Sequence, residues 1–157
     1  MNPLRLAARS MLASQFIILG ADTLRNPAPR AEVAKPVIEQ LRGVIPALPD
    51  NDNAVVRLDG AINVVFGTSL LLGKFQRISA LILAGSLLPT TFGGHRFWEQ
   101  EDPASKKNQQ IHFQKNIAAL GGLLFAALDR KGKPSLSYRA SKAAKRANKA
   151  LPDVHKS

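Results

Sequence analysis

The sequence predicts an all-α protein, a four-helix transmembrane bundle with both termini in the cytoplasm and a basic C-terminal tail. The first observation behind this prediction is a set of four apolar runs, at residues 4–21, 54–73, 78–94 and 113–128. The second is the strongly uneven placement of charge between and after these runs. We therefore expect a membrane domain over residues 1–129 and a tail over residues 130–157.

The four runs differ in how well they suit a bilayer. About 20 helical residues cross a hydrocarbon layer of roughly 30 Å, and the third run has no charge at all. The first run begins with Arg5 and Arg9, which also suits a signal peptide, but no small-x-small cleavage site follows it, so we expect a retained helix. The fourth run is short, and it spans only if Lys115 extends toward the lipid headgroups.

The placement of charge supports the same topology independently. With both termini in the cytoplasm, the inner side carries thirteen basic and two acidic side chains, whereas the two outer loops together with Lys115 carry eight of each. This asymmetry follows the positive-inside rule. The net charge of +11 is therefore explained without nucleic-acid binding, because most of the excess lies in a tail without interleaved aromatic residues or a reading motif.

The tail itself has the pattern of an interfacial or partner-binding helix. An alanine-rich face recurs at helical spacing between residues 140 and 151, with basic side chains around it. We expect these side chains to bind anionic phospholipids or another subunit. They are Arg139, Lys142, Lys145, Arg146 and Lys149.

The first outer loop contains a second, shorter amphipathic pattern. Val33, Val37, Leu41 and Val44 recur at spacings of about three and four, and prolines bound the segment on both sides. We expect a short helix that lies on the outer membrane face or caps the bundle.

Two charged side chains and one asparagine fall inside the second run, where ionisable groups are costly and usually paired or functional. Arg57 and Asp59 point about 200° apart on a helix, so each needs a different partner. Asn63 is suited to a hydrogen bond between helices. We expect these residues to be structural. The expected partners are Lys115 or Arg96 for Asp59, and Asp52 or a lipid phosphate for Arg57.

Small residues in the second and fourth runs predict where helices pack closely. Gly60 and Gly67 lie seven residues apart, and Gly121 and Gly122 are adjacent. Because glycine lets helix backbones approach each other, we expect close contacts at all four positions.

The candidate functional site lies at the outer ends of the third and fourth helices. Antiparallel neighbours bring such ends together, and a quinone carbonyl can accept a hydrogen bond from His, Arg or Asn. The alternative is simple anchoring, with Trp98 in the aromatic belt and the basic side chains extended to headgroups. The candidate residues for a quinone, headgroup or partner site are His95, Arg96, Trp98, His112, Lys115 and Asn116.

Metal and thiol chemistry are not expected here. The absence of Cys excludes disulfides, thiolate ligands and iron–sulfur clusters. The spacings of the histidines and nearby carboxylates match no standard metal motif, so we predict no metal site.

Four stretches together resemble one known family. They are an Arg-bearing first helix that ends in Gly, "NVVFGTSLLLG" followed by "KFQR", "GGHRFW", and "HFQKNIAALGGLLF". In this order they resemble the DoxX family of small bacterial integral membrane proteins, over roughly residues 4–128. The resemblance implies a four-helix membrane bundle associated with redox chemistry, as in small subunits of thiosulfate:quinone oxidoreductases or scaffolds that gather antioxidant enzymes.

The expected function follows from that resemblance. We expect a noncatalytic accessory or scaffold subunit of a bacterial membrane redox or respiratory complex, located in the cytoplasmic membrane. One alternative is a quinone-interacting membrane subunit of an oxidoreductase, with quinone as its cofactor. A second alternative is a lipid-handling or small-molecule transport protein.

Overall fold

A computed structural model describes residues 3–129 and 141–146, and all regular structure in these residues is helical. Residues 141–146 form a short exposed helical segment. A 3₁₀ turn, Phe97–Glu99, lies between the last two long helices. The five long helices are α1 (Pro3–Arg25), α2 (Ala28–Val44), α3 (Asp52–Leu72), α4 (Gln76–Gly94) and α5 (Pro103–Leu128).

Four of these helices, α1, α3, α4 and α5, are long and apolar enough to cross a membrane, which confirms the all-α class and the four predicted spans; the orientation of the termini stays a prediction. The predicted start of the fourth span was wrong, because α5 begins at Pro103 rather than at residue 113. Asp102 caps this helix and Pro103 occupies its first turn, and both are strong start signals. The apolar run therefore continues a helix that begins about ten residues, or roughly 15 Å, earlier.

The main core lies where the four long apolar helices meet. Leu70, Leu83 and Leu123 are fully buried there, one each from α3, α4 and α5. Ala13 and Phe16 of α1 complete the same cluster. Because α1 contributes to the core, it is an integral part of the bundle.

Helix α2 packs against α3 and α4 beside this core, so it caps the bundle. Its buried face consists of Ala31, Val37 and Ile38. The predicted face was wrong at two positions, because Val33 is 65% exposed and Val44 is 79% exposed. Only Val37 of the predicted set is fully buried. Ala31 and Ile38 of this face belong to a second core cluster that α2 shares with α3.

Two arginines of α2 hold its ends in place. Arg30 donates to the Leu19 carbonyl oxygen and to Asp22 of α1, both at 2.7 Å. Arg42 pairs with Asp52 at 2.7 Å, at the start of α3. These contacts tie α2 to the end of one membrane helix and the beginning of the next.

Helices α1 and α3 approach most closely at glycines. A Cβ at Gly20 would lie 2.7 Å from the Gly60 carbonyl oxygen, and one at Gly67 would lie 2.9 Å from Ile17. The prediction of close packing at Gly60 and Gly67 is thus confirmed. For Gly121 it was wrong, because no atom lies within 4 Å of a Cβ added there, whereas Gly122 meets Leu12 at 3.2 Å.

The two ends of the bundle differ in charge. One end of the bundle contains the first residues of α1 and α4 and the last residues of α3 and α5. We call it the basic end, because Arg5, Arg9, Lys74 and Arg77 lie there. An ion pair of 3.6 Å between Arg5 and Asp129 places the start of α1 beside the end of α5. We call the opposite end the histidine end, because it contains His95 and His112.

Candidate functional site

At the histidine end, the two candidate histidines are stacked on each other. His95 follows the last residue of α4 and His112 lies on α5; their ring centroids are 5.2 Å apart and their planes differ by 13°. Both side chains are partly buried. The extension of α5 beyond its apolar run places His112 opposite the end of α4.

The orientation of the His95 ring is held by Gln109. Nδ1 of His95 lies 2.7 Å from the Gln109 side-chain oxygen. Because an amide oxygen only accepts hydrogen bonds, His95 Nδ1 is the donor. In a neutral imidazole this leaves Nε2 as an acceptor. Gln109 was not recognised from the sequence, since it lies in a polar segment that was read as loop.

Next to the histidine pair, four aromatic side chains form a cluster around Phe113. Its ring lies 5.5 Å from Phe92, 5.4 Å from Phe97 and 6.1 Å from Trp98, in edge-to-face arrangements. Each such contact contributes about 0.5–1.5 kcal/mol beyond area burial. About half of the surface of Phe92 (49%) and of Trp98 (50%) is exposed. The cluster therefore presents two half-exposed rings at the surface of the bundle, near the histidine pair.

The sequence placed only Trp98 of this aromatic cluster among the candidate site residues. Phe97 and Phe113 occur within the "HRFW" and "HFQKN" stretches, but nothing local indicates that they meet. The sequence signal that links these aromatic side chains to the histidine pair is that Phe113 directly follows His112 on α5. We use the term aromatic cluster for Phe92, Phe97, Trp98 and Phe113.

The other candidate residues are placed less centrally. Arg96 pairs with Glu99 at 3.3 Å within the turn after α4. Lys115 is exposed on α5, and Asn116 is partly buried one helical turn after His112. The structure thus brings the two histidines into contact and places Trp98 in the aromatic cluster.

The start of α5 is fixed by its cap. The Ser105 backbone N–H donates to Asp102 Oδ2 at 2.8 Å and holds the pKa of that carboxyl below its usual value. A carboxylate at a helix N-terminus also interacts favourably with the helix dipole. The cap sets where the α5 register begins, and therefore where Gln109 and His112 lie.

A second polar group lies inside the bundle around Asp59. The Ser86 hydroxyl of α4 donates to one carboxylate oxygen of Asp59, and Asn63 donates to the other at 2.9 Å. The expected pairing of Asp59 with Lys115 or Arg96 was wrong. Asn63 bonds within its own helix, so Ser86 supplies the link between helices.

Arg57 also lacks the expected protein partner. Asp52 pairs with Arg42 instead, and Arg57 is exposed on the outer face of α3. An arginine near the end of a membrane helix reaches the headgroup region with its charged tip. The alternative expectation, a lipid phosphate, therefore stays a prediction.

The candidate tail residues are described in part. Lys142, Lys145 and Arg146 lie in the exposed helical segment at residues 141–146. Arg139 and Lys149 lie outside the described residues. Within residues 3–129 and 141–146, no group of three His, Asp or Glu side chains is placed to hold a metal ion.

The described residues define a multi-pass membrane protein with four helices long and apolar enough to cross a bilayer. The chain belongs to the DoxX family, whose sequence model matches residues 4–96. Members are small membrane proteins often linked to redox or oxidoreductase-related roles. The match includes His95 and Arg96 but ends before α5 and His112. No curated protein and no solved structure shows significant similarity to the chain.

Proposed function

We propose that this protein is a noncatalytic accessory subunit of a redox assembly in the bacterial cytoplasmic membrane. The observation that carries the proposal is how the bundle uses its interior polar groups. Asp59 accepts hydrogen bonds from Ser86 and Asn63, and buried Gln76 donates to the Ala126 carbonyl oxygen at 3.0 Å. The bonds of Ser86 and Gln76 join helices to one another, and the bond of Asn63 lies within α3, so these interior groups are occupied by the fold and the groups available to partners lie on the surface.

The topology proposed for this subunit places both termini in the cytoplasm. The excess of basic residues at the basic end and in the tail supports this orientation. The tail then faces the anionic inner leaflet and any soluble partner. The histidine end faces the outer leaflet.

The accessory role predicts a stable complex in native membranes. After mild crosslinking and gentle detergent extraction of the tagged full chain, we expect subunits of one oxidoreductase to co-purify in fixed proportion. The measurement is quantitative mass analysis of the extracted material, with an equally tagged, unrelated four-span protein as the control. Recovery of the chain alone, or of the same proteins with the control, would contradict the role.

A second candidate function is favoured by the histidine pair and the aromatic cluster. The parallel His95 and His112 rings provide hydrogen-bonding groups beside half-exposed aromatic side chains. A quinone headgroup has a flat ring, which can stack on the aromatic side chains, and two carbonyl acceptors, one of which can accept a hydrogen bond from His112. In this function the histidine end holds a quinone at the membrane interface for a partner oxidoreductase.

Trp98 provides a direct measurement of quinone binding, because it is the single Trp of the chain. We expect a short-chain quinone to quench its fluorescence saturably. Gln109→Ala removes the hydrogen bond that orients the His95 ring against His112. We expect the quinone to bind about fivefold more weakly as a result, corresponding to roughly 1 kcal/mol. His112→Ala should weaken binding at least as much.

The matched control for this experiment is Gln110→Ala, since Gln110 is exposed beside Gln109 on the same helix. It should leave the quinone titration unchanged. Quenching that does not saturate, or that is the same in the His112→Ala and Gln110→Ala variants, would rule out a quinone site here without affecting the accessory role.

A further inference from the structure

The basic end carries positive charge that the described residues do not balance. Arg5, Arg9, Lys74 and Arg77 lie there with one acidic side chain, Asp129, which pairs with Arg5 at 3.6 Å. Among the described residues, none of the other three cations has a carboxylate within 4.0 Å. An anion from outside this part of the chain is therefore favoured at this end.

Arg9 is the cation with the most specific unmet requirement. Its Nε is buried and has no hydrogen-bond partner among the described residues. Its Nη1 donates a long bond of 3.4 Å to the Gln76 side-chain oxygen. A guanidinium has five N–H donors and binds phosphate or carboxylate oxygens in pairs. Leaving a buried donor unsatisfied is unfavourable, so an oxygen acceptor from outside the described residues is favoured beside Arg9.

The surroundings hold the Arg9 guanidinium in a defined position. Gly73 ends α3 with a φ of 69°, and a Cβ there would overlap Arg9 Nη1. Gln76 is buried and is itself anchored to the Ala126 carbonyl oxygen at 3.0 Å. Glycine is thus needed at this turn both for its backbone conformation and for the space that Arg9 occupies.

The turn between α3 and α4 adds a second, independent feature. Phe75 has a left-handed conformation with a φ of 46° and is 76% exposed, and the exposed side chains of Lys74 and Arg77 flank it. The Ser69 hydroxyl donates to the Lys74 carbonyl oxygen at 2.7 Å and holds the turn. An aromatic ring between two cations, where two membrane helices end, suits the lipid interface.

We propose that the basic end binds the phosphate group of an anionic phospholipid. Arg9 donates hydrogen bonds to the phosphate oxygens, Lys74 and Arg77 add electrostatic attraction, and Phe75 lies at the level of the lipid glycerol. This site belongs to the helical bundle and is separate from the basic tail. It does not depend on the proposed accessory role.

The test uses the full chain in dodecyl maltoside, titrated with phosphatidylglycerol or phosphatidylcholine and followed by native mass spectrometry. We expect phosphatidylglycerol to bind at least about tenfold more tightly than phosphatidylcholine, and Arg9→Ala to remove this preference. Arg9→Lys keeps the charge without the paired donors and should bind with intermediate affinity. Lys106→Ala removes an equal charge at the histidine end and should leave the preference intact.

Two outcomes would overturn the proposal. One is a folded Arg9→Ala variant, judged by its helical circular dichroism, that binds phosphatidylglycerol as tightly as the parent. The other is displacement of the lipid by excess inorganic phosphate, which would assign the site to a free anion. If Arg9→Ala does not fold, the exposed Lys74→Ala and Arg77→Ala variants should each lose about fivefold in affinity, and unchanged binding in both would also overturn the site.

Discussion

Replacing Gly20 by alanine is expected to lower the free energy of unfolding by about 1–3 kcal/mol, the usual cost of overpacking. The added methyl group would lie 2.7 Å from the Gly60 carbonyl oxygen and 2.9 Å from Asn63 Cβ. Because the carbonyl belongs to the backbone, rotating a side chain cannot relieve this contact, and α1 and α3 must move apart. Their separation would weaken packing along the whole pair. The measurement is unfolding by dodecyl sulfate in dodecyl maltoside micelles, followed by helical circular dichroism.

Gly85→Ala and Gly121→Ala are matched controls for this experiment. Both glycines lie in membrane helices, and no atom lies within 4 Å of a Cβ added at either position. Alanine favours helix over glycine by up to about 1 kcal/mol, so both controls should be neutral or stabilising. If Gly20→Ala behaves like the controls, the close approach of α1 and α3 described here is incorrect.

Replacing Ser86 by alanine is expected to destabilise the bundle by about 0.6–1.7 kcal/mol, the usual range for a hydrogen bond between membrane helices. The Ser86 hydroxyl donates to Asp59 across the interface between α3 and α4. Its removal leaves one carboxylate oxygen without that donor in a partly buried position, while Asn63 still donates to the other. The same unfolding assay measures the loss.

The control for Ser86 is Ser14→Ala, because the Ser14 hydroxyl bonds only to the Met11 carbonyl oxygen of its own helix, at 2.9 Å. It should change stability by a few tenths of a kcal/mol at most. A triple variant that adds Asp59→Val and Asn63→Ala should recover part of the Ser86→Ala loss, since removing all three partners leaves no unpaired polar group. Equal effects of Ser86→Ala and Ser14→Ala would show that the link between helices is not formed.

The two predictions concern different kinds of helix contact. At Gly20 the contact depends on the absence of a side chain, and at Ser86 it depends on one hydroxyl group. Close packing at small residues and hydrogen bonds between helices are the two forces available to a bundle in lipid, where apolar side chains gain little by leaving the hydrocarbon. Both classes of contact hold the bundle together.

The histidine end shows how much of a site can be read from sequence. The stretches "GGHRFW" and "HFQKN" supply its two histidines and three of its four aromatic rings, and antiparallel topology brings their segments together. The stacking of His95 on His112 and the bond from His95 to Gln109 depend on where α5 begins. That start was missed because Asp102 and Pro103 precede the apolar run by ten residues.

By itself, the sequence determined the helical class, the four membrane-spanning runs and the uneven charge of the two ends. These features follow from the sequence because hydrophobic length and charge are properties of contiguous residues. Hydrophobic length decides whether a segment can cross a bilayer, and charge decides on which side its flanking loops lie. The tertiary structure alone decided which side chains meet: Ser86 with Asp59, Gln76 with the end of α5, and Arg9 with the space beside Gly73. Such contacts depend on the rotation and register of one helix against another, and interactions distant in sequence set both.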